Sequence, residues 1–391
     1  MTFFKNPVCN YREYGLDYAN CCSVLLNEAV FLSFVSENKH FVNFKINLGE
    51  EMKRFLAILS LLILVSVPAL AQKKVGIVFD AGGKNDRSFN QSAWEGALRA
   101  QKELGILLKD AEPGDTSGVE EAMRAFASEG YDLVFGIGFA NAPYIEKVAK
   151  EFPNLNFAIV DMVVDLPNVS SLVFKEHEGS FLVGMIAAMR SRVVNGKRTI
   201  GFIGGMEIDL IKKFEQGYVQ GAKTVYPGID VIINYVGNTP TAWNDPTKAK
   251  EIANAQMGKG ARVIYAAAGG SGNGLFDAIK EKNGKGNCYR RIKKCVYAIG
   301  VDSNQNYIVP GQILTSMLKR VDVSVFSTIK ALTDGNLKGG FRVFGLENDG
   351  VGYALDKYNG KLINKTMKKV VEQYKAKIIN GEIVVRDKRL E

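Results

Sequence analysis

Short apolar runs alternate along the chain with stretches whose apolar residues recur at helical spacing. Val75 to Phe79 is a short apolar run bounded by turn signals, the pattern of a buried strand. Ala93, Trp94, Ala97 and Leu98 then repeat at helical spacing, and Gly105 stands where a helix-stopping glycine is expected. Ser88-x-x-Gln91 has capping-box spacing at the start of that helix. Further strands are predicted at Leu133–Ile137, Phe157–Val160, Val169–Phe174, Thr199–Ile203, Val231–Val236, Val263–Ala268 and Val296–Ile299. Phe181, Leu182, Met185, Ile186 and Met189 mark a helix, a second spans roughly Ile208 to Val225, and Asp245-Pro246 reads as a cap followed by an N1 proline. Repeated βα units predict a parallel sheet with helices on both faces.

Polar residues collect where these strands end. In open α/β folds that rim, beside helix N-termini, is where ligands bind. Asp80 and Asp86 place carboxylates there, Phe89 offers a flat apolar face, and Asn90 carries donors and an acceptor. Read alone, Phe89 suits a core position and Asp86 a helix cap. Asp161, Asp302 and the glycine-rich run from Gly269 to Gly274 occupy equivalent strand ends, and Trp243 lies in a loop rich in Gly, Asn, Thr and Pro. Together these loops suggest one cleft lined from several directions.

Length and composition narrow the classes. The 391 residues are comfortable for two domains, and 47% hydrophobic with 23% charged is a globular balance. The net charge of +9 is not concentrated with aromatics, so it describes a solvated surface and implies no nucleic-acid partner. His40 and His177 are the two histidines, which argues against histidine metal sites and a Ser-His-Asp triad. The run after Ala268 has neither the lysine of a phosphate loop nor the spacing of a nucleophile elbow. No metal or cofactor is expected.

Met52 to Ala71 reads as a secretory signal: a basic start, an apolar core from Phe55 to Val67, and a small-x-small site before Gln72. Translation is expected to start at Met52, with residues 1–51 a mis-assigned, disordered extension lacking a clear periodic pattern. Beyond the signal, Cys288 and Cys295 flank a basic loop; an exported chain could close them as a disulfide or keep two free thiols.

The segments Asp86-Arg-Ser-Phe-Asn90 with Trp94-Glu-Gly96, Asp132-Leu-Val-Phe-Gly-Ile-Gly138, Phe157-Ala-Ile-Val-Asp161, Glu178-Gly-Ser-Phe-Leu-Val-Gly184, Gly201-Phe-Ile-Gly-Gly205, Ala267-Ala-Gly-Gly270, Ala298-Ile-Gly-Val-Asp302 and Thr315-Ser-Met-Leu-Lys319 resemble, in order, the basic membrane protein family of substrate-binding proteins, which includes the purine nucleoside receptors of ABC transporters. The resemblance runs over nearly all of Lys74 to Arg386. It implies a type I periplasmic-binding fold: α/β, two doubly wound parallel-sheet lobes joined by a three-stranded hinge. One lobe would be residues 73–174 plus 296–313, the other 175–294 plus 314–391.

The resemblance further implies a binding protein rather than an enzyme, holding a purine nucleoside between the lobes and serving an ABC permease in the inner membrane. Phe89 would stack on the base, with Trp243 on its other face. Asn90 and Asp80 or Asp86 would bond the base edge. Asp161 and Asp302 would accept from ribose hydroxyls, Lys319 would donate to the sugar, and Gly270 would let backbone approach it. A sugar-binding protein or a nucleoside-processing enzyme are the alternatives. Many members are lipoproteins, but no cysteine lies near the cleavage site, so a soluble periplasmic or cell-envelope protein without a lipid anchor is expected. Cys288 to Cys295 looks like an insertion, and His177 like a residue near the hinge without function.

Overall fold

In the computed structural model, which describes residues 22–26, 29–35, 41–46, 49, 72–114, 118–284, 288–289 and 294–387, the alternating pattern becomes two parallel sheets. Both belong to one unit, residues 72–391; residues 1–71 form another. In that N-terminal unit Cys22–Leu26 (β1), Ala29–Val35 (β2) and Phe41–Ile46 (β3) pair antiparallel. These strands fall within the expected extension, residues 1–51, in which runs such as Ala-Val-Phe-Leu-Ser-Phe-Val are rich in β-formers. The expected signal segment, residues 52–71, lies outside the described residues.

The first sheet of the main unit contains Lys74–Val78 (β4), Leu107–Ala111 (β5), Leu133–Gly136 (β6), Asn156–Val160 (β7) and Val169–Phe174 (β8). Gly340–Phe344 joins its edge beside β8, and every pair is parallel. Val75, Ile77, Val78 and Phe79 have no exposed surface. Helices cover both faces, which is why β4 reads as a continuous apolar run. Phe89–Leu104 (α1), Val119–Ser128 (α2) and Ala142–Glu151 (α3) are the connecting helices.

The second sheet runs in the order Asp230–Gly237, Lys197–Met206, Val263–Ala267, Tyr297–Asp302, Ile313–Lys319, Val351–Tyr353. Only the last pair along this path is antiparallel. Its helices include Glu176–Arg190 (α4) and Asp209–Val225 (α5), which touch backbone to backbone. A Cβ on Gly217 would stand 2.1 Å from the His177 carbonyl, and one on Gly221 2.0 Å from that of Phe181. Those glycines are what let α4 bury itself beneath the sheet.

The pairing corrects the expected lobe composition. Tyr297–Asp302 lies between Val263–Ala267 and Ile313–Lys319 in the second sheet, not with the first lobe. What returns to the first lobe is the later stretch from the helix Val321–Thr333 to Gly340–Phe344. That helix packs on α1, where a Cβ on Gly96 would stand 2.3 Å from the Asp322 carbonyl. The chain thus crosses between lobes three times: at Lys175, at Arg320, and from Gly345 to Gly350. The crossings are tied together, Lys175 N donating to the Phe344 carbonyl at 2.9 Å and Arg320 N to that of Gly350 at 2.8 Å.

Cys288 and Cys295 are disulfide-bonded, Cα to Cα 5.9 Å, and both are buried. Closing so short a loop stabilises by about 2 kcal/mol on the chain-entropy view. Replacing both cysteines by alanine should lower the melting temperature by roughly 3–6 °C and leave ligand affinity unchanged. A thermal melt paired with a ligand titration checks both halves.

Candidate functional site

A cavity lies between the lobes. The first lobe contributes Asp80, Asp86, Phe89, Asn90, Gly138, Phe139 and Asp161; the second contributes Leu210, Ile211, Phe214, Trp243, Gly269, Asp302 and Lys319. Eight of the nine residues expected from the sequence line it. Gly270 does not: a Cβ there would meet the Trp243 carbonyl at 3.2 Å and Asp86 Cβ at 3.6 Å, so this glycine lets the lobes approach one another.

Asp80 follows β4. Its Oδ1 accepts from Gly82 N at 2.9 Å and from Asn90 Nδ2 at 2.8 Å. Its Oδ2 faces Gly138, which has φ +101° and where a Cβ would stand 2.6 Å away. Only glycine suits both that backbone and that contact. Burial raises the Asp80 carboxyl above its usual range, against the two N–H bonds. Asn90 is 1% exposed, and its Oδ1 has no hydrogen-bond partner. A buried orphan acceptor of this kind costs free energy unless something completes it.

The start of α1 differs from the expected capping box. Ser88 makes no side-chain cap. Asp86 does the capping: Oδ1 accepts from Ser88 N at 2.8 Å and Gln91 N at 3.1 Å, and Oδ2 from Asn90 N at 3.0 Å. A carboxylate suits the positive end of the helix better than a hydroxyl. Burial nevertheless pushes the Asp86 carboxyl up to about 7, against those three bonds. Both its oxygens are occupied by backbone, which leaves Asp80 and Asn90 to face a ligand. Ser88 turns its hydroxyl instead to the other lobe, donating to Asp302 Oδ2 at 2.6 Å.

Asp161 and Asp302 also line the cavity, both in the left-handed region at φ +75° and +64°. For non-glycine residues that conformation is costly and concentrates at functional sites. Lys319 ends its strand at a hinge crossing, 1% exposed. Its ammonium lies 2.6 Å from Asp161 Oδ1 and 3.1 Å from Glu176 Oε1. Glu176 also pairs with Lys213, and Lys213 lies 3.9 Å from Asp387 near the C-terminus. Burial and the neighbouring carboxylates push Asp161 up to about 6, although Lys319 opposes this. Burial would raise Glu176 as well, but Lys213 and Lys319 together hold it well below its usual range. Lys319 is raised despite burial, because Asp161, Glu176 and Asp302 surround it. His177, beside this cluster, is driven down to about 4 by burial and by Lys213, and so is neutral at pH 7.

The two walls are aromatic. The Lys319 ammonium sits 5.1 Å from the centre of the Phe89 ring. Trp243 meets Phe139 edge-on, centroids 6.4 Å apart. Phe139, Leu210 and Phe214 escaped the sequence reading because apolar residues after a turn or on a helix look like core. Glu176 and Lys213 escaped because a glutamate at a helix start and a lysine within a helix ordinarily face water. The lobes close directly on loop 86–88: Ser303 Oγ donates to the Ser88 carbonyl at 2.9 Å, Gln305 Nε2 to that of Arg87 at 2.9 Å, and Asn273 Nδ2 to that of Asp86 at 3.3 Å.

Two parallel-sheet lobes, three crossings and a cleft lined from both sides define a solute-binding protein of the type I periplasmic-binding fold. The family model of PnrA-like ABC transporter substrate-binding proteins matches residues 73–389, and the chain belongs to that family, the Bmp or basic membrane protein family. It is 37% identical over 330 residues to the ABC transporter nucleoside-binding protein BmpA of Lactococcus lactis, covering 81% of this chain and 89% of that one. It is 34% identical over 345 residues to an uncharacterized lipoprotein of Pyrococcus horikoshii, covering 80% and 84%. The crystal structure of an ABC transporter solute-binding protein from Aeropyrum pernix superposes with a TM-score of 0.72 at 30% identity, covering 80% of this chain and 94% of that one. Among the described residues no helix is long and apolar enough to cross a membrane.

Proposed function

We propose that the cleft binds a purine nucleoside, which the protein, exported and soluble in the periplasm or cell envelope, delivers to an ABC permease in the inner membrane. The observation that carries this is the set of groups that share one cavity. Aromatic rings from both lobes line it, together with a bonded pair suited to a base edge, Asp80 and Asn90, and a separate charged cluster of Asp161, Lys319 and Asp302. A nucleoside has the matching parts: two flat faces, a polar edge and vicinal hydroxyls. Asp161 and Asp302 would accept from the hydroxyls, with Lys319 donating. The nucleoside-binding name of the Lactococcus relative points the same way.

Electrostatics argue for the uncharged nucleoside over a nucleotide. Asp80, Asp86, Asp161 and Asp302 line the cavity against the single ammonium of Lys319. Among the described lining residues a phosphate would meet carboxylates with no further cation to offset them. Isothermal titration of refolded residues 72–391 with adenosine, guanosine, inosine, cytidine, ribose and AMP tests this. Purine nucleosides should bind tightly and AMP at least tenfold more weakly, with ribose alone undetected. Ribose binding as tightly as a nucleoside would replace the ligand with a sugar, and release of free base would make the protein an enzyme.

A further inference from the structure

We infer that the base end of the cleft selects the donor–donor edge of a guanine-type purine over the donor–acceptor edge of adenine, a selection that presupposes a nucleoside in the cleft. The orientation of the Asn90 amide is what decides it. Asp80 Oδ1 already accepts from Gly82 N at 2.9 Å, and Asn90 Nδ2 donates to the same oxygen at 2.8 Å. Turning the amide over would set its oxygen against a carboxylate oxygen. The nitrogen is therefore held toward Asp80, and Gly82 covers it, since a Cβ on that glycine would stand 2.8 Å from Nδ2. The atom left without a partner is Asn90 Oδ1, an acceptor in a side chain that is 1% exposed and lines the cavity.

The second polar group at this end is also an acceptor. Gly82 N and Asn90 Nδ2 both donate to Oδ1 of Asp80, while Oδ2 lies against the bare backbone of Gly138. Asp86 next to them is occupied by the start of α1. Lys319 is held by Asp161 and Glu176. A ligand edge that satisfies two neighbouring acceptors must present two neighbouring donors. Guanine does so with N1–H and the 2-amino group. Hypoxanthine offers N1–H alone. Adenine offers its 6-amino group, but its N1 lone pair would then face a carboxylate. A buried acceptor facing another acceptor leaves both unpaired, which sites of this kind reject strongly.

The expected order is guanosine, then inosine, then adenosine, with guanosine over adenosine by about 10- to 100-fold. The test is competitive titration of the full-length, ligand-stripped chain with the three nucleosides, repeated on Asp80→Asn. The amide there would turn its oxygen to Gly82 and Asn90 and present a donor to the ligand, so the guanosine-to-adenosine affinity ratio should drop at least tenfold. That ratio does not respond to a general loss of stability, and the order of the three ligands on the native chain stands even if the variant folds poorly. Adenosine binding as tightly as guanosine to the native chain overturns the edge selection and leaves the nucleoside standing. Absence of binding by all three overturns both.

Discussion

Replacing Lys319 with methionine is expected to lower stability by about 3–5 kcal/mol and to abolish measurable ligand binding. Methionine is nearly the same length, so packing among Phe89, Phe174 and Phe214 survives while the ammonium that lies within 5.5 Å of each ring is lost. Glu176 keeps Lys213 as a partner. Asp161 keeps none of its ion pair, because Lys319 is the cation that touches it, and its side chain is only 5% exposed. The penalty is that of a charge stranded away from water. Adding Asp161→Asn to the methionine variant removes the stranded charge and should restore at least half of the lost stability, a coupling that a double-mutant cycle in urea isolates. If the single variant unfolds within 1 kcal/mol of the native chain, on the order of an exposed pair, the cluster is not desolvated as described. On the proposed reading binding fails for a second reason: with Lys319 gone, Asp161 and Asp302 offer a ribose hydroxyl acceptors but no ammonium donor.

Phe89→Ala should weaken purine nucleoside binding by roughly 10- to 100-fold, the stacking contribution of about 1–3 kcal/mol per base seen with other aromatic platforms. The effect should exceed plain loss of area, since alanine also uncovers the ammonium that the ring approaches at 5.1 Å. Phe89→Tyr keeps the flat face and should bind within a few-fold of the native chain. Stability should change less than for a core phenylalanine, because Phe89 is half-buried. Isothermal titration of the alanine and tyrosine variants with one purine nucleoside reads the contrast. Equal affinity of the alanine variant and the native chain would mean that the base does not lie on this ring.

These two residues, one legible from local pattern and the other from family likeness, mark how far the sequence could be read. Strands such as Val263–Ala267 were visible because burial on both faces makes a strand an unbroken apolar run. Asp80, Asp161 and Asp302 were visible because a carboxylate straight after such a run has few structural uses. What could not be read is pairing at a distance. Nothing local in Tyr297–Asp302 says which sheet it joins, and the answer depends on Val263–Ala267 and Ile313–Lys319 beside it. The cap at α1 was misplaced for a related reason. Asp86 and Ser88 both suit a helix start, and the choice was settled by Asp302 across the cleft, which takes the serine hydroxyl. Leu210 and Phe214 were hidden because a cavity wall and a core use the same side chains.

The threading of the first sheet sets the order in which the molecule can be assembled. Five of its strands are complete by Phe174, yet the neighbour of that last strand, Gly340–Phe344, is encoded after nearly all of the second sheet. Until it arrives, Val169–Phe174 presents an open edge, the kind of surface on which unfinished chains stick to one another. Closing it demands contact between segments far apart in sequence, which is slow. The first lobe therefore depends on the C-terminal third of the chain, and truncations there should yield aggregates rather than a free first lobe.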